Sequence, residues 1–94
     1  MPNFETIYDG MTTTYNKLQS VMGELYDRFT KNPDDDFSKY MFDRLVEVSK
    51  WMLSSEKDLT TAYCKDESKS VIQSQIDNRE FALEQGVASL TRSK

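Results

Sequence analysis

The chain has 94 residues, a single cysteine, no histidine and a net charge of −4. A chain of this length forms one domain at most, and Cys64 alone cannot form an internal disulfide. The absence of histidine removes the commonest general base and metal ligand. Because lysines and arginines are not clustered, we do not expect a surface that follows nucleic-acid phosphates.

The first element predicted in chain order is a helix over residues 3–31. Gly10, Gly23 and the threonine run at 12–14 are poor helix formers, so this helix should depend on packing rather than on intrinsic propensity. Eight apolar residues recur at alternating steps of four and three, the heptad spacing of one helix face: Phe4, Tyr8, Met11, Tyr15, Leu18, Met22, Leu25 and Phe29.

The stretch at residues 32–36 reads Asn-Pro-Asp-Asp-Asp and predicts a turn between two helices. Asn32 is expected to cap the second helix and Pro33 to occupy its first position, where a missing N–H costs nothing. Asp34 and Asp35 then lie at the positive end of the helix dipole. The acidic run lacks the ligand spacing and the glycine of a calcium loop, so no metal site is predicted.

A second helix is predicted from Pro33 to about Cys64. Its expected core face continues the heptad spacing through Phe37, Met41, Leu45, Val48, Met52, Leu59 and Ala62, with Ser55 as the one polar insertion. Six further apolar residues broaden this face: Tyr40, Phe42, Val46, Trp51, Leu53 and Tyr63. A face of this width is typical of a helix that is contacted on more than one side.

Residues 65–70 contain no hydrophobic residue and predict a break before a third helix at about 68–91, capped by Asp66 or Ser68. The heptad phase nevertheless continues across the gap through Ile76, Leu83, Val87 and Leu90. We therefore predict an all-α fold, one domain over residues 1–94: an antiparallel bundle of three helices with coiled-coil-like packing. The alternative is a helical hairpin with a very long second helix.

No residue pattern in the chain predicts catalysis. The carboxylate pairs Glu24/Asp27 and Glu80/Glu84 have the spacing of solvated polar helix faces. Cys64 has no histidine to activate it and is expected to be a semi-buried structural thiol. No catalytic residue, cofactor, metal or small-molecule substrate is predicted, and we expect a protein that is not an enzyme.

Methionine and aromatic residues carry the functional prediction, since methionine is flexible and common where a surface accepts a partner helix. Trp51 is the expected hot spot. The expected function is protein–protein interaction, as a small acidic helical adaptor, co-chaperone or assembly factor that binds a protein partner or itself. The predicted partner-binding residues are Trp51, Met52, Val48, Tyr63, Met41, Met22 and Tyr15.

Nine positions before and within the turn resemble the needle subunits of type III secretion systems, which are helical hairpins with a Lys-Asn-Pro turn. The matching residues are Leu18-Gln19, Gly23-Glu24-Leu25, Asp27 and Lys31-Asn32-Pro33; Asp36 replaces the second proline, and the chain continues well beyond a hairpin. The resemblance implies an alternative function, a self-assembling subunit or chaperone of such an apparatus.

A small viral or regulatory inhibitor of a host protein is the third hypothesis, because it would use the same surface. The N-terminal sequence lacks the basic and apolar regions of a signal peptide. No apolar run is long enough to span a membrane. We therefore expect a cytoplasmic protein that binds neither membrane nor nucleic acid.

Overall fold

The computed structural model describes residues 3–65 and 67–92, with side chains as far as Ala88. Within these residues the chain forms three helices and no strand: α1 (Phe4–Lys31), α2 (Asp36–Tyr63) and α3 (Lys69–Arg92). The predicted all-α fold with three helices is thereby confirmed. The alternative of one very long second helix is wrong, because α2 ends at Tyr63 and a separate helix, α3, begins at Lys69.

The start of α1 is capped by Asn3, whose side-chain oxygen accepts hydrogen bonds from the backbone N–H of Thr6 at 2.9 Å and from its hydroxyl at 3.0 Å. The threonine run does not interrupt the helix. The hydroxyls of Thr13 and Thr14 each donate to the carbonyl four residues earlier, at 3.0 Å, so both polar groups are satisfied within the helix.

The turn between α1 and α2 corrects the predicted cap. Asn32 still belongs to the end of α1, because its N–H donates to the carbonyl of Arg28 at 2.9 Å. The capping residue of α2 is instead Asp35, which accepts the backbone N–H of Ser38 at 3.0 Å and its hydroxyl at 2.8 Å. The second helix therefore begins at Asp36 rather than at Pro33, because the chain needs the intervening residues to reverse direction.

The chain divides into two compact units, residues 1–52 and residues 53–94. In the first unit α1 and the first part of α2 are antiparallel. Phe29 and Phe42, close to the turn, have ring centroids 5.4 Å apart, whereas Gln19 and Ser49, farther from it, are joined by a hydrogen bond of 2.9 Å. All eight predicted core residues of α1 are buried or half-buried, as the heptad pattern predicted.

The buried face of α2 is rotated away from the predicted one. Of the eight heptad positions predicted on this helix, Met52 is buried, four are half-buried and three, including Phe37 and Val48, are exposed. Three of the six residues predicted to broaden the face are buried: Phe42, Val46 and Leu53. The observed core face includes several polar residues that apolar spacing could not select. The buried residues of α2 are Ser38, Phe42, Val46, Ser49, Met52, Leu53, Glu56 and Thr60. Cys64, which is also buried, follows directly after the helix.

In the second unit the last part of α2 and α3 are also antiparallel. Gln73 donates to the Thr61 hydroxyl at 3.4 Å near the connection, and Arg79 binds Glu56 farther away. Leu53 and Ile76 are fully buried. Ser68 accepts the first α-helical hydrogen bond of α3, from the Ile72 N–H at 2.9 Å. Asp66, the alternative cap, and the side chain of Leu90 lie outside the described residues.

Candidate interaction surface

The first part of α2 carries a row of exposed aromatic side chains opposite its buried face. Trp51 is 70% exposed, Phe37 67% and Tyr40 61%. At 3.6 residues per turn, six residues fall within about 100° of one another around the helix axis. We call this the aromatic face of α2: Phe37, Tyr40, Met41, Arg44, Val48 and Trp51, of which Met41 is half-buried and the others are exposed.

Charged residues lie within and beside the aromatic face. Arg44 is exposed at its centre, and Glu47 is exposed on its edge. The ion pairs among the described residues are Lys39–Asp43, Lys57–Asp77 and Glu56–Arg79, so Arg44 and Glu47 are engaged in none of them. A cation and an anion are therefore available to a partner at the middle of an otherwise apolar surface.

Three of the seven predicted partner-binding residues lie on the aromatic face: Trp51, Val48 and Met41. Tyr63 is 68% exposed but is the last residue of α2 and lies in the second unit. The remaining three are buried within the chain and present little surface to a partner, with exposures of 4% for Tyr15, 5% for Met22 and 9% for Met52. Their role in partner binding stays a prediction.

Phe37, Tyr40 and Arg44 belong to this surface but were not predicted as partner-binding residues. The apolar spacing predicts Phe37 on the core face and Tyr40 among the residues that broaden it. The signal that could have identified them is a second helical spacing, since positions 37, 40, 44, 48 and 51 follow steps of three and four. These positions lie on a different side of α2 from the buried face, which contains polar residues.

Among the residues that the structure describes, the Glu56 carboxylate is fully buried. Both of its oxygens accept from the Arg79 guanidinium at 3.2 Å, a bidentate pair between α2 and α3. A carboxylate held in this way has a structural explanation, because burial of a charge is tolerated when it is paired and hydrogen-bonded. Cys64, which the sequence predicts to be semi-buried, is buried, with its sulfur 3.9 Å from the Ser68 hydroxyl.

Hydrogen bonds shift the pKa values of two surface groups, Asp35 and Lys57. The Ser38 backbone N–H and then its hydroxyl lower the pKa of Asp35, and the Arg28 charge adds to the effect. The hydrogen bond to Asp77 raises the pKa of Lys57, helped by the charge of Glu80. Both groups stabilise local structure: one caps α2, and the other links α2 to α3.

Over residues 3–65 and 67–92, no group of three or more cysteine or carboxylate side chains is placed to hold a metal ion. None of the three helices, over the same residues, is long and apolar enough to cross a membrane. No protein-family model, curated protein or solved structure matches the chain. No residue role can therefore be transferred from a relative, and exposure and side-chain chemistry alone identify the aromatic face as the candidate site.

Proposed function

We propose that this protein is a non-enzymatic protein–protein interaction module that binds through the aromatic face of α2. The observation that carries the proposal is the exposure of Phe37, Tyr40 and Trp51 on one side of one helix. Single exposed apolar residues are ordinary, but three large exposed aromatics on one side of one helix of a small chain are typical of a binding surface.

The chemistry of the face suits helix-in-groove or helix-on-helix recognition. Trp51, Tyr40 and Arg44 are of the three residue types most enriched among interface hot spots. Their spacing at steps of three and four matches the way an amphipathic helix presents anchors to a partner. Acidic adaptors, co-chaperones and assembly factors all use such a surface. We therefore propose an interaction module and do not assign one of these three roles.

Trp51→Ala is the variant that tests this function. We expect it to weaken capture of protein partners, by about 2 kcal/mol or more in binding free energy. It should leave the free energy of unfolding within about 0.5 kcal/mol, since the side chain contributes little to the fold. The measurements are quantitative pull-down by the immobilised full chain with mass spectrometry, and chemical denaturation of each variant.

Phe81→Ala is the matched control, because Phe81 is 64% exposed on α3 and lies outside the aromatic face. It should leave capture unchanged. Equal loss with both variants would indicate nonspecific apolar adsorption and contradict the proposal. So would destabilisation of the isolated chain by Trp51→Ala of about 3–5 kcal/mol, the range for a tryptophan removed from a core.

A further inference from the structure

We propose that the aromatic face, together with the adjoining Glu47, binds the same surface of a second copy of this chain, with the two α2 helices antiparallel in a two-fold symmetric dimer. This inference rests on the proposed function and names the partner of that site. In a two-fold symmetric interface, every contact between one residue and another residue of the copy occurs twice, so the surface must be complementary to itself.

The order of side chains along α2 has this self-complementarity. Tyr40, Arg44, Glu47 and Trp51 follow one another at steps of four, three and four, the spacing of a single helix-packing row. When a two-fold axis passes midway between residues 45 and 46, Tyr40 lies opposite the copy's Trp51. Arg44 then lies opposite the copy's Glu47, and each pair occurs twice.

Residues at the two edges of this row also match. On one edge the half-buried Met41 and the partly exposed Val48 are placed near their counterparts Val48 and Met41 of the copy. On the other edge Asp43, which already binds Lys39 at 2.9 Å, is placed near the copy's Lys50. Apolar residues therefore meet apolar residues, and opposite charges meet on the charged edge.

Charge balance favours a second copy over a strongly charged partner. The chain as a whole is acidic, with a net charge of −4. The segment from Asp36 to Met52 is instead balanced, with acidic residues at 36, 43 and 47 and basic residues at 39, 44 and 50. This segment has no net charge to repel its own copy, and the central Arg44 opposes a partner helix that carries cations at its middle.

The size of the face sets the expected strength of the dimer. From Phe37 to Trp51 the helix is about 21 Å long, at 1.5 Å per residue. We expect one face of that length to bury less than the roughly 800 Å² per partner of a standard stable complex. We therefore expect a reversible dimer with a dissociation constant in the micromolar range, assembled according to concentration.

Opposite charge reversals test the pairing between chains. Arg44→Glu places two glutamates against each other at each central pair, and Glu47→Arg places two arginines there. Each variant alone should weaken self-association roughly tenfold or more, because like charges face each other across the interface. An equal mixture of the two should form a heterodimer, since every central pair then joins a glutamate to an arginine. Sedimentation equilibrium of the full-length chains over a wide concentration range measures all three.

Lys17→Glu and Glu24→Arg provide matched controls. Both residues are exposed on α1, and these variants have the same net charges as Arg44→Glu and Glu47→Arg. They should dimerise as the unchanged chain does, alone and mixed. Fluorescence of Trp51, the one tryptophan of the chain, should shift to shorter wavelength as concentration rises, and thermal unfolding by circular dichroism checks that each variant is folded.

An unchanged chain that stays monomeric up to millimolar concentration would overturn the dimer. A mixture of the two reversals that remains monomeric, or single reversals that dimerise as before, would overturn the antiparallel pairing. If these tests fail while Trp51→Ala still abolishes capture of a different protein, the proposed function stands with another occupant. If Trp51→Ala changes neither self-association nor capture, both proposals fail.

Discussion

At the scale of single residues, the carboxylate of Asp35 decides where α2 begins. It accepts two hydrogen bonds from Ser38, whereas Asn32 is engaged by the end of α1. The first helix donors otherwise lack partners, so a side-chain acceptor three residues before them stabilises the helix start. The sequence predicted a capped helix start in this stretch but assigned the cap to Asn32, and that assignment is wrong.

Asp35→Ala should lower the thermal unfolding temperature by a few degrees at neutral pH. Because the folded pKa of Asp35 is lowered below its unfolded value, its stabilisation is present above pH 4 or so. This stabilisation is lost as pH falls through the folded pKa. The difference in unfolding temperature between Asp35→Ala and the wild-type chain should then disappear. Thermal unfolding across pH 2–7 measures this.

Asp34→Ala is the control for this cap, since Asp34 is one residue earlier and exposed. It should change the unfolding temperature much less, at every pH. A gap for Asp35→Ala that is as large in strong acid as at neutral pH would show that the loss comes from something other than the charged carboxylate.

Arg79→Met should destabilise the fold by about 3–5 kcal/mol, because the buried Glu56 would lose both guanidinium hydrogen bonds. The double variant Glu56→Leu with Arg79→Met should recover most of this loss, since an apolar pair needs no desolvated charge. Denaturant unfolding of both variants provides the comparison.

Lys57→Met removes the neighbouring pair with Asp77, whose side chains are 44% and 59% exposed. Exposed pairs contribute little, so its effect should be far smaller than that of Arg79→Met. If Glu56→Leu with Arg79→Met is as unstable as Arg79→Met alone, the aliphatic part of the arginine side chain, rather than the ion pair, provides the stability.

At the scale of elements, α1 and α2 differ in how well apolar spacing predicts their packing. The core residues of α1 are almost all apolar, so the heptad pattern identifies its buried face correctly. The core face of α2 contains Ser49 and Glu56, whose polar groups bind Gln19 and Arg79. Most of its aromatic residues meanwhile lie on the exposed side, so a search for apolar spacing selects a face that overlaps the buried one but is rotated from it.

Gly23→Ala should stabilise α1 by about 0.5–1 kcal/mol, because glycine in a helix interior costs conformational entropy on folding. A methyl group there would meet no atom within 4 Å beyond its chain neighbours and the local helix backbone. Gly10→Ala, equally open, should give a similar gain. No gain with either variant in denaturant unfolding would mean that propensity does not limit this helix.

At the scale of the whole molecule, each of the two units contains its own polar link between helices. In the first, Ser49 accepts from Gln19 and donates to the sulfur of Met22 at 3.4 Å. In the second, Glu56 binds Arg79. Hydrophobic burial is nondirectional, whereas these paired groups have fixed geometry, and they account for the buried side of α2 in each unit.

The sequence by itself determined the helical class and the core face of α1, and it favoured three helices while a hairpin stayed as the alternative. Helix start and stop signals and heptad spacing are local properties of the sequence, so they can be recognised without knowledge of distant partners. It also indicated a surplus of aromatic residues on α2, including Trp51. Only the tertiary structure decided which of them are exposed, because burial of Ser49 and Glu56 depends on residues about 20 to 30 positions away in the chain.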